Sequence, residues 1–131
     1  MNNEKLSLDG LIFEATKVVM KDYILTITLN RPNKKNAINS VMMNEVNYAL
    51  AYAKQERKIR VVIIDAEGDV FCAGEDLSNS KSESNVPKLV DHDDLSLSIR
   101  HLYKPVICKI QGSVLAGALL MITNATHAIA V

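Results

Sequence analysis

The chain has 131 residues, 48% of them hydrophobic and 23% charged, which is the range of one globular domain with a single core and too small for two. Fifteen Lys and Arg balance fifteen Asp and Glu, so no net field draws the chain to nucleic acid or to an anionic membrane surface. The N-terminus, Met1-Asn2-Asn3-Glu4-Lys5, lacks the features of a secretion signal and no apolar stretch reaches bilayer-spanning length, so a cytoplasmic location without a membrane partner is expected.

In chain order, Leu11 to Met20 and Tyr23 to Leu29 flank Lys21-Asp22, and Leu25, Ile27 and Leu29 alternate with Thr26 and Thr28. That period of two predicts a strand, and the pair reads as a hairpin. Pro32 ends the second strand in the polar loop Asn30 to Ala37. Ser40 is the expected N-cap of a helix to about Arg57, because Val41, Met42, Val46, Ala49, Leu50 and Ala53 share a face while Asn44, Asn47, Lys54 and Gln55 lie largely elsewhere. The apolar run Val61-Val62-Ile63-Ile64 predicts a buried strand of a sheet covered on both sides.

The stretch from Ser78 to Asp94, rich in Ser, Asn, Lys and Asp, predicts a mobile surface loop able to cover a pocket. A short helix from about Leu95 to Leu102 and a strand from Val106 to Ile110 follow. From about Ala116 to Asn124 the residues are small or apolar on nearly every side, the pattern of a buried helix on a sheet. His127 to Val131 reads as a last strand. Cys72 and Cys108 sit in apolar contexts that favour reduced, buried thiols over a disulfide. His92, His101 and His127 are isolated from one another, and no Cys/His spacing suits a metal.

Two turns carry the candidate chemistry. Phe71-Cys72-Ala73-Gly74-Glu75-Asp76-Leu77 and Gly112-Ser113-Val114-Leu115-Ala116-Gly117 each follow a short apolar strand and can each expose backbone N–H groups. Two such groups converging on one point would hold a developing oxyanion. Other motif readings fail on their own residues. Gly112 and Gly117 have the outer spacing of a P-loop, but Ala118 and Leu119 stand where Lys and Ser or Thr are needed. Gly112-Ser113-Val114 lacks the glycine of a nucleophile elbow.

Asn30-Arg31-Pro32-Asn33-Lys34-Lys35-Asn36-Ala37-Ile38, the run from Val61 into the Gly74 turn, and Lys104-Pro105-Val106-Ile107 leading to Gly112 and Gly117 resemble the crotonase superfamily of enoyl-CoA hydratases and isomerases. The resemblance covers about Leu11 to Val131. It implies an α/β fold, the crotonase-like ββα spiral, here truncated: one domain over 1–131 lacking the family's second half and C-terminal helices.

The resemblance also implies a ligand and a mechanism. Crotonases bind acyl-CoA thioesters and let charge collect on the thioester oxygen, facing two backbone N–H groups; by position these are those of Glu75 and Gly117. The Gly117 donor would open a helix, where the macrodipole adds to the attraction. Contacts to coenzyme A fall by the same carry-over on Lys34, Lys35, Ala37, Ile38, Ala73, Gly74, Asp76, Leu77 and Leu115. No metal and no cofactor beyond the CoA thioester ligand are implied.

The chain departs from the hydratase pattern where it reads Ala116-Gly117-Ala118-Leu119-Leu120. Leu120 stands at the first catalytic glutamate, and leucine cannot shuttle a proton. The second catalytic glutamate lies past Val131 in the family. Three readings follow: an acyl-CoA binder with little or no hydratase activity; an enzyme completed by a second-half chain or needing only the oxyanion hole; and an interaction or structural remnant. A half-spiral leaves a sheet edge and an apolar face uncovered, so a homo-oligomer, trimeric or swapped, or a complementing chain is the expected assembly.

Overall fold

The structure, a computed structural model, describes residues 5–78, 81–89, 94–115 and 118–130, without the side chains at 119 and 120. Strands β1 (Thr16–Lys21) and β2 (Ile24–Leu29) form an antiparallel hairpin in which Thr16 lies opposite Leu29. The first strand starts later than its apolar run suggests. The Glu14 and Ala15 N–H groups donate instead to the Glu45 carboxylate, at 2.8 and 3.0 Å, which withdraws them from the sheet ladder.

Beyond a 3-10 turn at Pro32–Lys34, helix α1 runs Ser40–Gln55 and returns the chain to strand β3 (Val61–Ala66), parallel to β2. The expected cap shifts by one residue. The Asn39 side-chain oxygen accepts the Met42 N–H at 2.8 Å, so Asn39 is the N-cap and Ser40 the first helical residue; such a cap contributes about 1 kcal/mol. Strand β5 (Val106–Ile110) pairs parallel with β3, and β7 (His127–Ala130) pairs parallel with β5, giving the order β1-β2-β3-β5-β7.

A second, two-stranded parallel sheet joins β4 (Val70–Cys72) to β6 (Ser113–Val114). Neither is visible as a strand in the sequence. Helices α2 (Leu95–Arg100) and α3 (Ala118–Asn124) lie before β5 and before β7.

The core lies between α1 and the main sheet. Leu25, Ile27 and Leu29 face inward with no exposed surface, as their alternation requires, and meet Met42, Val46, Ala49 and Leu50 of α1. Each buried side chain of this size contributes about 2 kcal/mol. Asn47, placed by periodicity away from the core, is buried because α2 covers that face, and the Ser98 hydroxyl donates to its side-chain oxygen. Glu45 is wholly buried as well, its carboxylate accepting the Thr16 hydroxyl in addition to the Glu14 and Ala15 amides.

Among the described side chains of helix α3, Ala118 and Met121 are buried and Thr123 is exposed. Both cysteines are buried and free. The segment between β4 and α2 is tied down where it is described. The Ser82 hydroxyl and the Glu83 N–H donate to the Glu14 carboxylate, and the Asn85 side chain bonds Ile12 and Gly10.

Candidate functional site

The loop between β2 and α1 is fixed by polar contacts centred on Asn36. This residue is fully buried with φ 55°, in the left-handed region that asparagine tolerates better than most residues. Its side-chain oxygen accepts the Arg31 N–H at 2.7 Å, and its amide donates to the Glu67 and Val70 carbonyls, both at 2.8 Å. One side chain thus joins the loop to the turn between β3 and β4. Sequence reasoning missed it, because its partners lie some thirty residues away.

The Gly74 turn docks on this loop strand-fashion. The Ala73 N–H donates to the Lys35 carbonyl at 3.0 Å, the Ile38 N–H to Gly74 at 2.7 Å, and the Asp76 N–H to Ile38 at 2.8 Å. Gly74 has φ 98°, a conformation that a side chain would strain, which accounts for glycine there. The Glu75 N–H, next in line, has no hydrogen-bond partner among the described residues.

Asp76 closes the arrangement with an ion pair to Arg31 at 3.1 Å, both side chains largely buried, while the same guanidinium donates to the Ala37 carbonyl. Hydrogen bonds from the Ser78 hydroxyl and N–H, reinforced by Arg31, lower the Asp76 carboxyl from its ordinary 3.8 to about 2.

The second glycine turn is brought alongside by the small sheet. Val70 pairs with Ser113 and Cys72 with Val114, and the Leu115 N–H donates to the Cys72 carbonyl at 3.0 Å. Close approach explains Gly112, since a Cβ there would lie 1.9 Å from the Asp69 carbonyl oxygen. The chain then enters α3, whose Ala118 and Met121 line a cavity of about 140 Å³ with Ile38, Met43, Gly74 and Glu75. A neighbouring cavity of about 320 Å³ shares Ile38, Met43 and Glu75 and extends past Asp76 and Leu77.

The expected ligand-contacting residues therefore divide into groups. Ile38, Gly74 and Glu75 line both or one of these adjoining cavities, and Asp76 and Leu77 line the larger. Ala37 and Ala73 hold the wall through their backbones. Lys34, Lys35 and Leu115 are exposed and line neither cavity, and Leu77 is 89% exposed. Gly117 lies outside the described residues. No group of His, Cys, Asp and Glu able to hold a metal occurs among the described residues. Burial raises the Cys72 thiol above its ordinary value, partly offset by the Gly74 N–H, so this cysteine beside the turn is a poor nucleophile.

A model of the enoyl-CoA hydratase/isomerase family matches residues 20–130. The chain belongs to that family. Among its relatives, it is 32% identical over 106 residues to 1,2-epoxyphenylacetyl-CoA isomerase of Escherichia coli K12, covering 72% of this chain and 38% of the isomerase. It is 29% identical over 126 residues to the human mitochondrial Delta(3,5)-Delta(2,4)-dienoyl-CoA isomerase, covering 85% of this chain and 38% of that protein. The crystal structure of an enoyl-CoA hydratase/isomerase from Mycobacterium paratuberculosis superposes with a TM-score of 0.75 at 25% identity, over 91% of this chain and 48% of that one. The fold is accordingly the crotonase fold, and the chain spans less than half the length of these relatives.

Proposed function

We propose that this crotonase-family chain binds an acyl-CoA thioester, with the thioester oxygen facing the N–H groups of Glu75 and Gly117, and that it has little or no hydratase activity. The observation that carries this reading is the Glu75 N–H, unpartnered among the described residues, at the wall of a cavity that also receives the start of α3. The names of both relatives describe isomerases of CoA thioesters, which supports the ligand class. A preorganised backbone donor of this kind stabilises developing negative charge by about 3 kcal/mol. In this reading Lys34 and Lys35, exposed on the loop that carries Ile38, meet phosphate as point charges. Polarisation alone does not hydrate an alkene, because a proton must be moved by a titratable group within reach, and Leu120 occupies the position where the family pattern carries one.

A second reading, in which the chain works only in an assembly, is favoured by β7. All four of its residues are exposed, and among the described residues it pairs on one side only, with β5. A second copy or a complementing chain would cover that edge.

Calorimetric titration with crotonyl-CoA tests the first reading. Saturable heat without continuing turnover is the expected result. Sustained turnover heat would overturn the loss of activity, and no heat at all would leave the assembly reading in its place.

A further inference from the structure

Charge that cancels over the whole chain is sorted in the fold. The tip of the β1–β2 hairpin, the C-terminal end of α1 and the entry to β5 meet at the end of the molecule opposite Glu75, separated from it by the length of α1. For its 16 residues that is ~24 Å at 1.5 Å per residue. Lys54, Arg57, Lys58 and Arg60 are exposed there, with Lys21 from the hairpin. The acidic residues in these segments are Asp22 and Glu56, and none of these side chains enters an ion pair among the described residues.

Two tyrosines stand inside this basic field. Tyr23 is 55% exposed at φ 68°, with the Arg60 guanidinium 5.0 Å from its ring centre. Tyr103 is 82% exposed at φ 58°, with the Lys54 ammonium 5.7 Å from its ring centre and His101 stacked beside it at 6.2 Å. The Arg60 N–H donates to the Tyr23 carbonyl and the Val62 N–H to the Pro105 carbonyl. The two tyrosine turns therefore flank β3 on either side, two strand spacings or ~10 Å apart. Left-handed backbone is costly for bulky residues, and glycine would relieve it at both positions. The sequence instead holds a large ring open to water at each.

We propose that this end of the molecule is a docking surface for an acidic polypeptide segment. Tyrosine and arginine are the side chains that most often carry interface energy. Carboxylates of the partner pair with Arg57 and Arg60 while its apolar side chains lie on the ring faces. A bilayer surface uses a broad apolar face, and these rings are surrounded by charge. The docked segment leaves the Glu75 end uncovered, so both sites can be filled at once.

Fluorescence anisotropy of a labelled peptide alternating glutamate with leucine, titrated with the full chain, tests the proposal. Saturable binding that weakens with salt is expected. Arg57→Glu combined with Arg60→Glu is expected to weaken it about tenfold or more, and Lys81→Glu, a charge change elsewhere on the surface, to leave it nearly unchanged. Tyr103→Gly removes a ring and a backbone strain together, so it is expected to weaken binding about fivefold while leaving thermal stability equal or higher. Absence of binding, or equal affinity in all variants, overturns the proposal. Tighter binding of a single-stranded oligonucleotide or of phosphatidylserine vesicles, with the same dependence on these residues, overturns it in favour of that partner.

Discussion

The seam between α1 and the main sheet and the polar knot around Asn36 hold backbone in place by different means. The seam is built from side chains such as Ile27, Leu29, Val46 and Leu50, each touching several neighbours without directional demands. The knot is built from single hydrogen bonds: one amide on Glu67 and Val70, one guanidinium between Ala37 and Asp76. Loss of a methyl in the seam is shared among neighbours, whereas loss of one partner in the knot strands a buried polar group. The candidate site is framed by the knot, so a change in the knot reaches both stability and the geometry of the site, whereas a change in the seam reaches stability alone.

The sharpest way to break this contrast is Gly112→Ala. Its Cβ would overlap the Asp69 carbonyl, a backbone atom that cannot swing away, so the β4–β6 pairing must open. A loss of about 4 kcal/mol in urea unfolding is expected, and under the proposed function the heat of crotonyl-CoA binding disappears with it. Asn36→Ala comes next. It leaves the Arg31 N–H and the Glu67 and Val70 carbonyls without their buried partner, and about 3 kcal/mol is expected, together with weakened binding of crotonyl-CoA at temperatures where the protein stays folded. Ile27→Val, in the seam, is expected to cost about 1 kcal/mol and to leave ligand affinity unchanged; an equal effect on affinity would erase the distinction between the two regions.

Legibility in the sequence divides along the same line. The hairpin, α1, β3 and β5 were predicted by periodicity, because each buries one regular stripe or an unbroken apolar run. The one-residue shift of the α1 cap was not readable. Asn39 and Ser40 are both capping types, and the position of the Met42 amide decides between them. Strands β4 and β6 were hidden by their brevity and because, among the described residues, they pair only with each other. In the candidate site, Gly74 and Glu75 were recognisable through a motif, whereas the pairing of Asp76 with Arg31 and the role of Asn36 depend on distant segments that no local pattern joins. The basic end was invisible to composition, since a balance of charge over the chain says nothing about its sorting in space.

The smallest expected effect sharpens the comparison through pH. Asp76 has a carboxyl lowered to about 2, so the folded state binds fewer protons there than the unfolded chain. Its contribution is fully present above the ordinary value of 3.8 and is lost as pH falls through about 2. Cys108 works in the opposite direction, since burial raises its thiol from 9.0 to about 11. Its contribution is present below 9 and is lost as pH rises through about 11. Unfolding midpoints measured across pH are expected to show the acid-side step removed by Asp76→Asn and the alkaline-side step removed by Cys108→Ala, with the plateau between them in both variants.

The strand order also sets a timetable for assembly. The pairing of β1 with β2 closes a turn of two residues, Asp22 and Tyr23, while β2 meets β3 only after α1 has formed and crossed over, and β3 meets β5 only after the whole stretch holding β4 and α2. Parallel pairings wait for these long closures. The hairpin and α1 therefore come first, β3 locks them, and β7 joins last on the far edge of β5. Amide hydrogens of β2 and β3, each flanked on both sides, are accordingly the last to exchange with solvent, and those of β7 are among the first.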